Sequence, residues 1–84
     1  KYLMKNNNEI KLSAAKSGAY YRIMKCNFSK EEKSRLTELG FFSGNKLFVC
    51  FSKGFLVIKI SSCRFFLSAF LADKITVSEA KAFL

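Results

Sequence analysis

The sequence predicts a mainly β fold, a small closed barrel of about five short strands with one capped helix and one or two helical turns. Three observations predict it. Apolar residues alternate with period two from Leu47 to Phe51. The short runs are separated by turn signals at Lys53-Gly54 and Ser61-Ser62. Only Ser29 to Leu39 carries the chemistry of a well-capped helix. A closed barrel also hides the sheet edges that so apolar a chain would otherwise expose.

Residues 1–9 are polar, with Asn6, Asn7 and Asn8 in a row, and are expected to form a flexible segment ahead of a single domain over residues 10–84. Ser13 is placed to cap a very short helix through Lys16, with Gly18 as its left-handed exit. Ala19 to Met24 is rich in aromatic and β-branched residues and reads as the first strand. In the helix over residues 29–39, Ser29 and Glu32 form an S-x-x-E capping box. Glu31 stands four residues before Arg35, a pairing worth only ~0.3 kcal/mol. Leu36 and Leu39 share the face expected to dock on the core and plug one mouth of the barrel. Gly40 sits where a helix end calls for positive φ, and Gly44 precedes the next strand by the length of a tight turn. Leu47, Val49 and Phe51 then alternate with Phe48 and Cys50. Phe55 to Ile60 and Cys63 to Leu67 read as strands, Leu71 to Lys74 as one helical turn and Ile75 to Val77 as a closing strand. Ser78 to Leu84 is expected to fray or to form a terminal helical turn.

Eighty-four residues suffice for one domain, and half of them are apolar, ten being phenylalanine, so a core forms without covalent staples. The longest uncharged apolar run, Phe65 to Ala72, falls far short of the ~20 residues that span a bilayer. No secretory signal pattern leads the chain, so a cytoplasmic location is expected. The net charge of +9 favours nucleic acid, an anionic membrane surface or an acidic protein face as partner, without choosing among them.

Catalytic chemistry is poorly supplied. There is no histidine, so neither a Ser-His nor a Cys-His pair can exist. The three cysteines, Cys26, Cys50 and Cys63, are unclustered, which argues against both a disulfide framework and a metal centre; no cofactor is expected. Gly40 and Gly44, with Lys46 behind them, do not make a phosphate-binding loop, because a strand follows where a helix is required. The same strand removes the second helix of a helix-turn-helix. A small barrel binding RNA or DNA stays open as an alternative, with Tyr20, Tyr21 or Phe48 as stacking platforms.

An ordered series of motifs carries further information. It runs G-x-x-x-x-I at Gly18 to Ile23 and R-L-x-E-L-G-F-x-x-G at Arg35 to Gly44, then Leu47 and Val49, the strand Phe55 to Ile60, Leu67, and A-x-x-I-x-V at Ala72 to Val77. Over roughly residues 10–78 the chain resembles the ferrous-iron-transport accessory protein A family, the FeoA domain. Ser17 and Ser43 stand where that family often has proline, a loss of turn stiffness. The resemblance implies an SH3-like barrel and a non-catalytic cytoplasmic role in bacterial ferrous iron uptake. The partner it implies is the cytoplasmic GTP-binding domain of the membrane importer FeoB. The same fold occurs as an appended domain of metal-dependent repressors, whose DNA-binding domain has no counterpart in this sequence. Without histidine or clustered thiols, no intrinsic high-affinity iron site is expected.

The candidate docking residues are Phe42, Lys30, Lys33, Thr37 and Phe48. Phe42 lies on a loop beside Phe41, and Phe41 is the better core candidate; an exposed ring there would serve as an interface anchor. Lys30, Lys33 and Thr37 lie on the helix side away from the leucines and would form a basic rim. Self-association through exposed phenylalanines is a further expectation, and peripheral contact with an anionic membrane surface is left open.

Overall fold

The computed structural model describes residues 9–80. Six strands alternate with short helical elements: β1 (Glu9–Lys11), a 3-10 turn (Leu12–Ala14), β2 (Ala19–Cys26), α1 (Lys30–Leu39), β3 (Lys46–Ser52), β4 (Phe55–Ile60), β5 (Cys63–Ser68), α2 (Ala69–Ala72) and β6 (Ile75–Glu79). All six join one antiparallel sheet in the order β1-β6-β2-β3-β4-β5.

The mainly β SH3-like fold is present, but the barrel does not close by hydrogen bonding. No ladder joins β5 to β1, so each is an edge. The sixth strand is β1, which takes Glu9 out of the expected loose end: Glu9 pairs with Ser78, Ile10 with Val77 and Lys11 with Thr76. Pairing of Ser78 with β1 and of Glu79 with Tyr21 on β2 carries β6 two residues past the expected end, so Ser78 and Glu79 do not fray. Residues 1–8 and 81–84 lie outside the described residues, and with them the rest of both terminal expectations.

The core lies on one face of the sheet. Ile23, Leu47, Val49, Leu56, Ile58, Ile75 and Val77 are at most 2 % exposed and come from β2, β3, β4 and β6. Leu12 from the 3-10 turn, Phe41 from the loop after α1 and Ala72 from α2 close over them. Among the described residues no charged side chain is buried, and the hydroxyl of buried Tyr21 is hydrogen-bonded to the Lys16 amide. Phe41 stacks edge-on against Phe65 with centroids 5.2 Å apart.

Two irregularities re-aim the strands. Between Val49 and Phe51 the β3–β4 register shifts by one, so Phe51 turns outward and leaves the inward series of Leu47 and Val49 that alternation predicts. A second shift between Ile23 and Lys25 leaves Met24 unpaired and exposed and carries β2 on to Cys26.

The helix differs from expectation in its contacts more than in its extent. Leu36 packs against the core, but Leu39 is 44 % exposed, so the two leucines do not plug the sheet together. A ten-residue helix touching the sheet along a shallow stripe packs only Leu36 against it, and even that side chain is only partly buried. Glu31 and Arg35 form no salt bridge; Glu32 instead reaches Lys74 at 2.9 Å. Ser13 does not cap the short turn. Its hydroxyl donates to Asp73 at 2.6 Å, tying the turn to the residue after α2. α2 itself starts two residues before the expected turn and is capped by Ser68, whose hydroxyl accepts from the Leu71 amide.

Candidate docking surface

The segment from Gly40 to Asn45 is pinned on both sides. Its start is fixed by the end of α1: Gly40 adopts φ 113°, and the Phe41 amide donates to the Leu36 carbonyl at 3.0 Å. This left-handed exit turns the chain so that Phe41 drops into the core. The far end is bound to β2. The Gly44 amide donates to the Ile23 carbonyl at 2.7 Å, and the Ile23 amide returns to the Asn45 carbonyl at 2.8 Å. Side chains add to this: Asn45 Nδ2 donates to Gly40 O at 2.8 Å, Ser43 Oγ to Met24 O at 2.9 Å and Arg22 Nη1 to Gly44 O at 2.9 Å. The Ser43 hydroxyl thus supplies stiffness at a position without proline.

Phe42 is held on this clamped loop with 45 % of its surface exposed. It stands at a groove of about 330 Å³ between α1 and β2, which Lys33 and Thr37 also line. Three of the five predicted docking residues therefore meet at one place. The floor includes Phe28, Phe41 and Cys26, whose thiol donates to the Phe41 carbonyl at 3.7 Å. Burial pushes the Cys26 thiol up from its ordinary range, so at neutral pH it is an uncharged floor residue. Lys30 is exposed one turn before Lys33 and does not line the groove.

Phe48 lies elsewhere. Its ring packs against Tyr20 with centroids 4.7 Å apart, in a broader groove of about 440 Å³ bordered by Lys46, Lys59 and Arg64. Tyr21 is not a stacking platform: it is 3 % exposed, and its hydroxyl accepts from the Lys16 amide at 3.0 Å. The four predicted turn and cap residues all have structural duties, with Ser29 capping α1 and Gly18, Gly40 and Gly44 at positive φ. Sequence reasoning missed the exposed rings of Phe66 and Phe70, at 75 % and 76 %. For Phe66 the signal was present, since it alternates with the inward-facing Phe65 and Leu67 on β5.

Among the described residues no group of three or more His, Cys, Asp or Glu side chains is placed to hold a metal ion. No helix among them is long and apolar enough to cross a membrane.

Comparison with known proteins places this geometry. A crystal structure of an iron uptake regulatory protein (FeoA) superposes with a TM-score of 0.78 at 19% identity, covering 86% of this chain and 99% of that one. Iron(II) transport protein A from Clostridium thermocellum gives 0.73 at 27% identity, over 83% of this chain and 45% of that one. A manganese-dependent transcriptional repressor gives 0.78 at 16% identity, with 90% of this chain matching 44% of the repressor. No curated protein sequence matches the chain. The FeoA domain profile matches residues 10–79, most of the chain, and so this chain belongs to the FeoA domain family.

Proposed function

We propose that this chain is a non-catalytic cytoplasmic accessory domain of ferrous iron uptake. It docks on the cytoplasmic GTP-binding domain of a FeoB-type membrane importer and modulates transport. Membership of the FeoA family supports the iron-transport role. The observation that carries docking is Phe42, a half-exposed ring on a loop clamped at both ends, standing at a groove with an apolar floor. A ring held in place before binding loses little conformational freedom when it is covered, which is what an interface anchor requires. Lys33 and Thr37 on the groove, with Lys30 one turn away, form a polar rim whose charge steers an acidic partner toward it.

The test is calorimetry of the full chain against the importer's GTP-binding domain at ~150 mM salt, near physiological ionic strength. Saturable binding is expected, weakened at least about tenfold by Phe42→Ala with the circular dichroism unchanged. Lys33→Ala should weaken it only a few-fold, chiefly by slowing association. Absence of binding to both the isolated domain and the full-length importer in membranes would remove the partner. Binding indifferent to Phe42→Ala would move the interface off this groove.

A further inference from the structure

Strands β2 to β5 contain no aspartate or glutamate. The described acids lie elsewhere: Glu9 on β1, Glu31, Glu32 and Glu38 on α1, Asp73 after α2, and Glu79 at the end of β6. The face of these four strands away from the core therefore carries cations and uncharged side chains, with no carboxylate. Their register orders it. Tyr20 lies opposite Phe48, Phe48 opposite Lys59 and Lys59 opposite Arg64, while Arg22 lies opposite Lys46. Next to that row, Phe66 is opposite Val57 and Val57 opposite Phe51. The Phe51 and Phe55 rings are 5.2 Å apart, and Phe55 and Phe66 lie 6.4 Å apart with their planes within 11°. One half of the face is thus a continuous patch of phenyl rings, and the other half is a cluster of positive charge.

We infer that this face anchors the domain to an anionic lipid surface. Phe51, Phe55 and Phe66 enter the boundary between headgroups and acyl chains, and Arg22, Lys46, Lys59 and Arg64 meet the lipid phosphates and carboxylates. Charge complementarity selects a negative partner, and a second copy of this chain, with the same cations, would be repelled. Between negatively charged partners the rings decide. Phe55 and Phe66 lie nearly parallel with centroids 6.4 Å apart, and with Phe51 they present one contiguous apolar patch. Phenyl rings without a polar tip suit hydrocarbon. The inference stands apart from importer docking, which the Phe42 variant reads.

Co-sedimentation of the full chain with phosphatidylcholine vesicles, with and without phosphatidylserine, tests it at ~150 mM salt. Preferential binding to the phosphatidylserine vesicles is expected. The double variant Phe55→Ser, Phe66→Ser should lower it at least about tenfold. The double variant Lys59→Gln, Arg64→Gln should lower it about fivefold per charge and flatten its salt dependence. All four positions are exposed, so both variants keep the fold, with circular dichroism as the check. Equal binding to both vesicle types, or wild-type binding by both double variants, would overturn the assignment. It would also be overturned if vesicles fail to bind while a random single-stranded RNA binds and both variants abolish that. The same holds if light scattering shows a dimer that the phenylalanine variant dissolves, again without vesicle binding.

Discussion

At the residue scale, two glycines frame two phenylalanines, and the four have different duties. Phe41 is 1 % exposed and part of the core, whereas Phe42 is 45 % exposed at the groove. The glycines differ as well. Gly40 and Gly44 both have positive φ, 113° and 97°, but a Cβ on Gly40 would lie 2.9 Å from Ile60 Cγ2 and 3.3 Å from Asn45 Nδ2. A Cβ on Gly44 would meet nothing within 4 Å. Ile60 is a core side chain with little room to retreat. Gly40→Ala is therefore expected to cost about 2 kcal/mol or more, combining backbone strain with a clash. Gly44→Ala should cost about 1 kcal/mol, from strain alone. Urea unfolding of both variants checks the order; equal losses would show that the contact with Ile60 is immaterial.

At the element scale, α1 is held by its cap as much as by its packing, since it has no fully buried residue. Ser29 accepts from the Glu32 amide at 3.2 Å, and Glu32 Oε1 accepts from the Ser29 amide at 2.9 Å. Ser29→Ala should cost about 1 kcal/mol, lowering the thermal midpoint by roughly 4–8 °C in a domain of this size. Glu32 also accepts from Lys74 Nζ through both carboxylate oxygens, at 3.0 and 2.9 Å. The Lys74 bond, followed by that from the Ser29 amide, holds the Glu32 carboxyl below its ordinary value. The folded state therefore releases this proton more readily than the unfolded chain. The stabilisation is complete above the unfolded value near ~4.3 and disappears as pH falls through the lowered folded value. Thermal melts on the acid side of that window should show a falling midpoint, and Lys74→Met should flatten the fall. An unchanged slope in Lys74→Met would assign the acid limb to other carboxylates.

At the scale of the whole molecule, charge is sorted by element. Three of the six acids sit on α1, and β2 to β5 carry cations without a single carboxylate. With a net charge of +9, the proposed association with an importer's cytoplasmic domain should weaken steadily as salt rises, mostly through the association rate. Stopped-flow association at several ionic strengths measures this. A rate indifferent to salt would remove the charge from recognition and leave the Phe42 groove to account for all of it.

Much of the fold was legible because its signals are local. The Ser29 and Glu32 box, the glycine turns and the alternation of Phe55 to Ile60 are each written within a few residues, and the structure realises them all. The meeting of Phe42, Lys33 and Thr37 was legible for the same reason, since a helix face and the loop that leaves it are neighbours along the chain. Phe48 borders a different groove, beside Tyr20, and only strand pairing decides which groove it lines.

By itself, then, the sequence determined the family motifs, the capped helix, five of the six strands and the absence of histidine chemistry. Tertiary structure alone decided the pairing of β1 with β6, the open edges at β1 and β5, and the bulge that turns Phe51 outward. It also chose Lys74 as the partner of Glu32, forty-two residues away, over the nearby option of pairing Glu31 with Arg35. The physical reason is one of range. Caps and turns are set by bonds that close within a few residues, whereas register, edges and distant ion pairs depend on which surfaces the assembled core brings together.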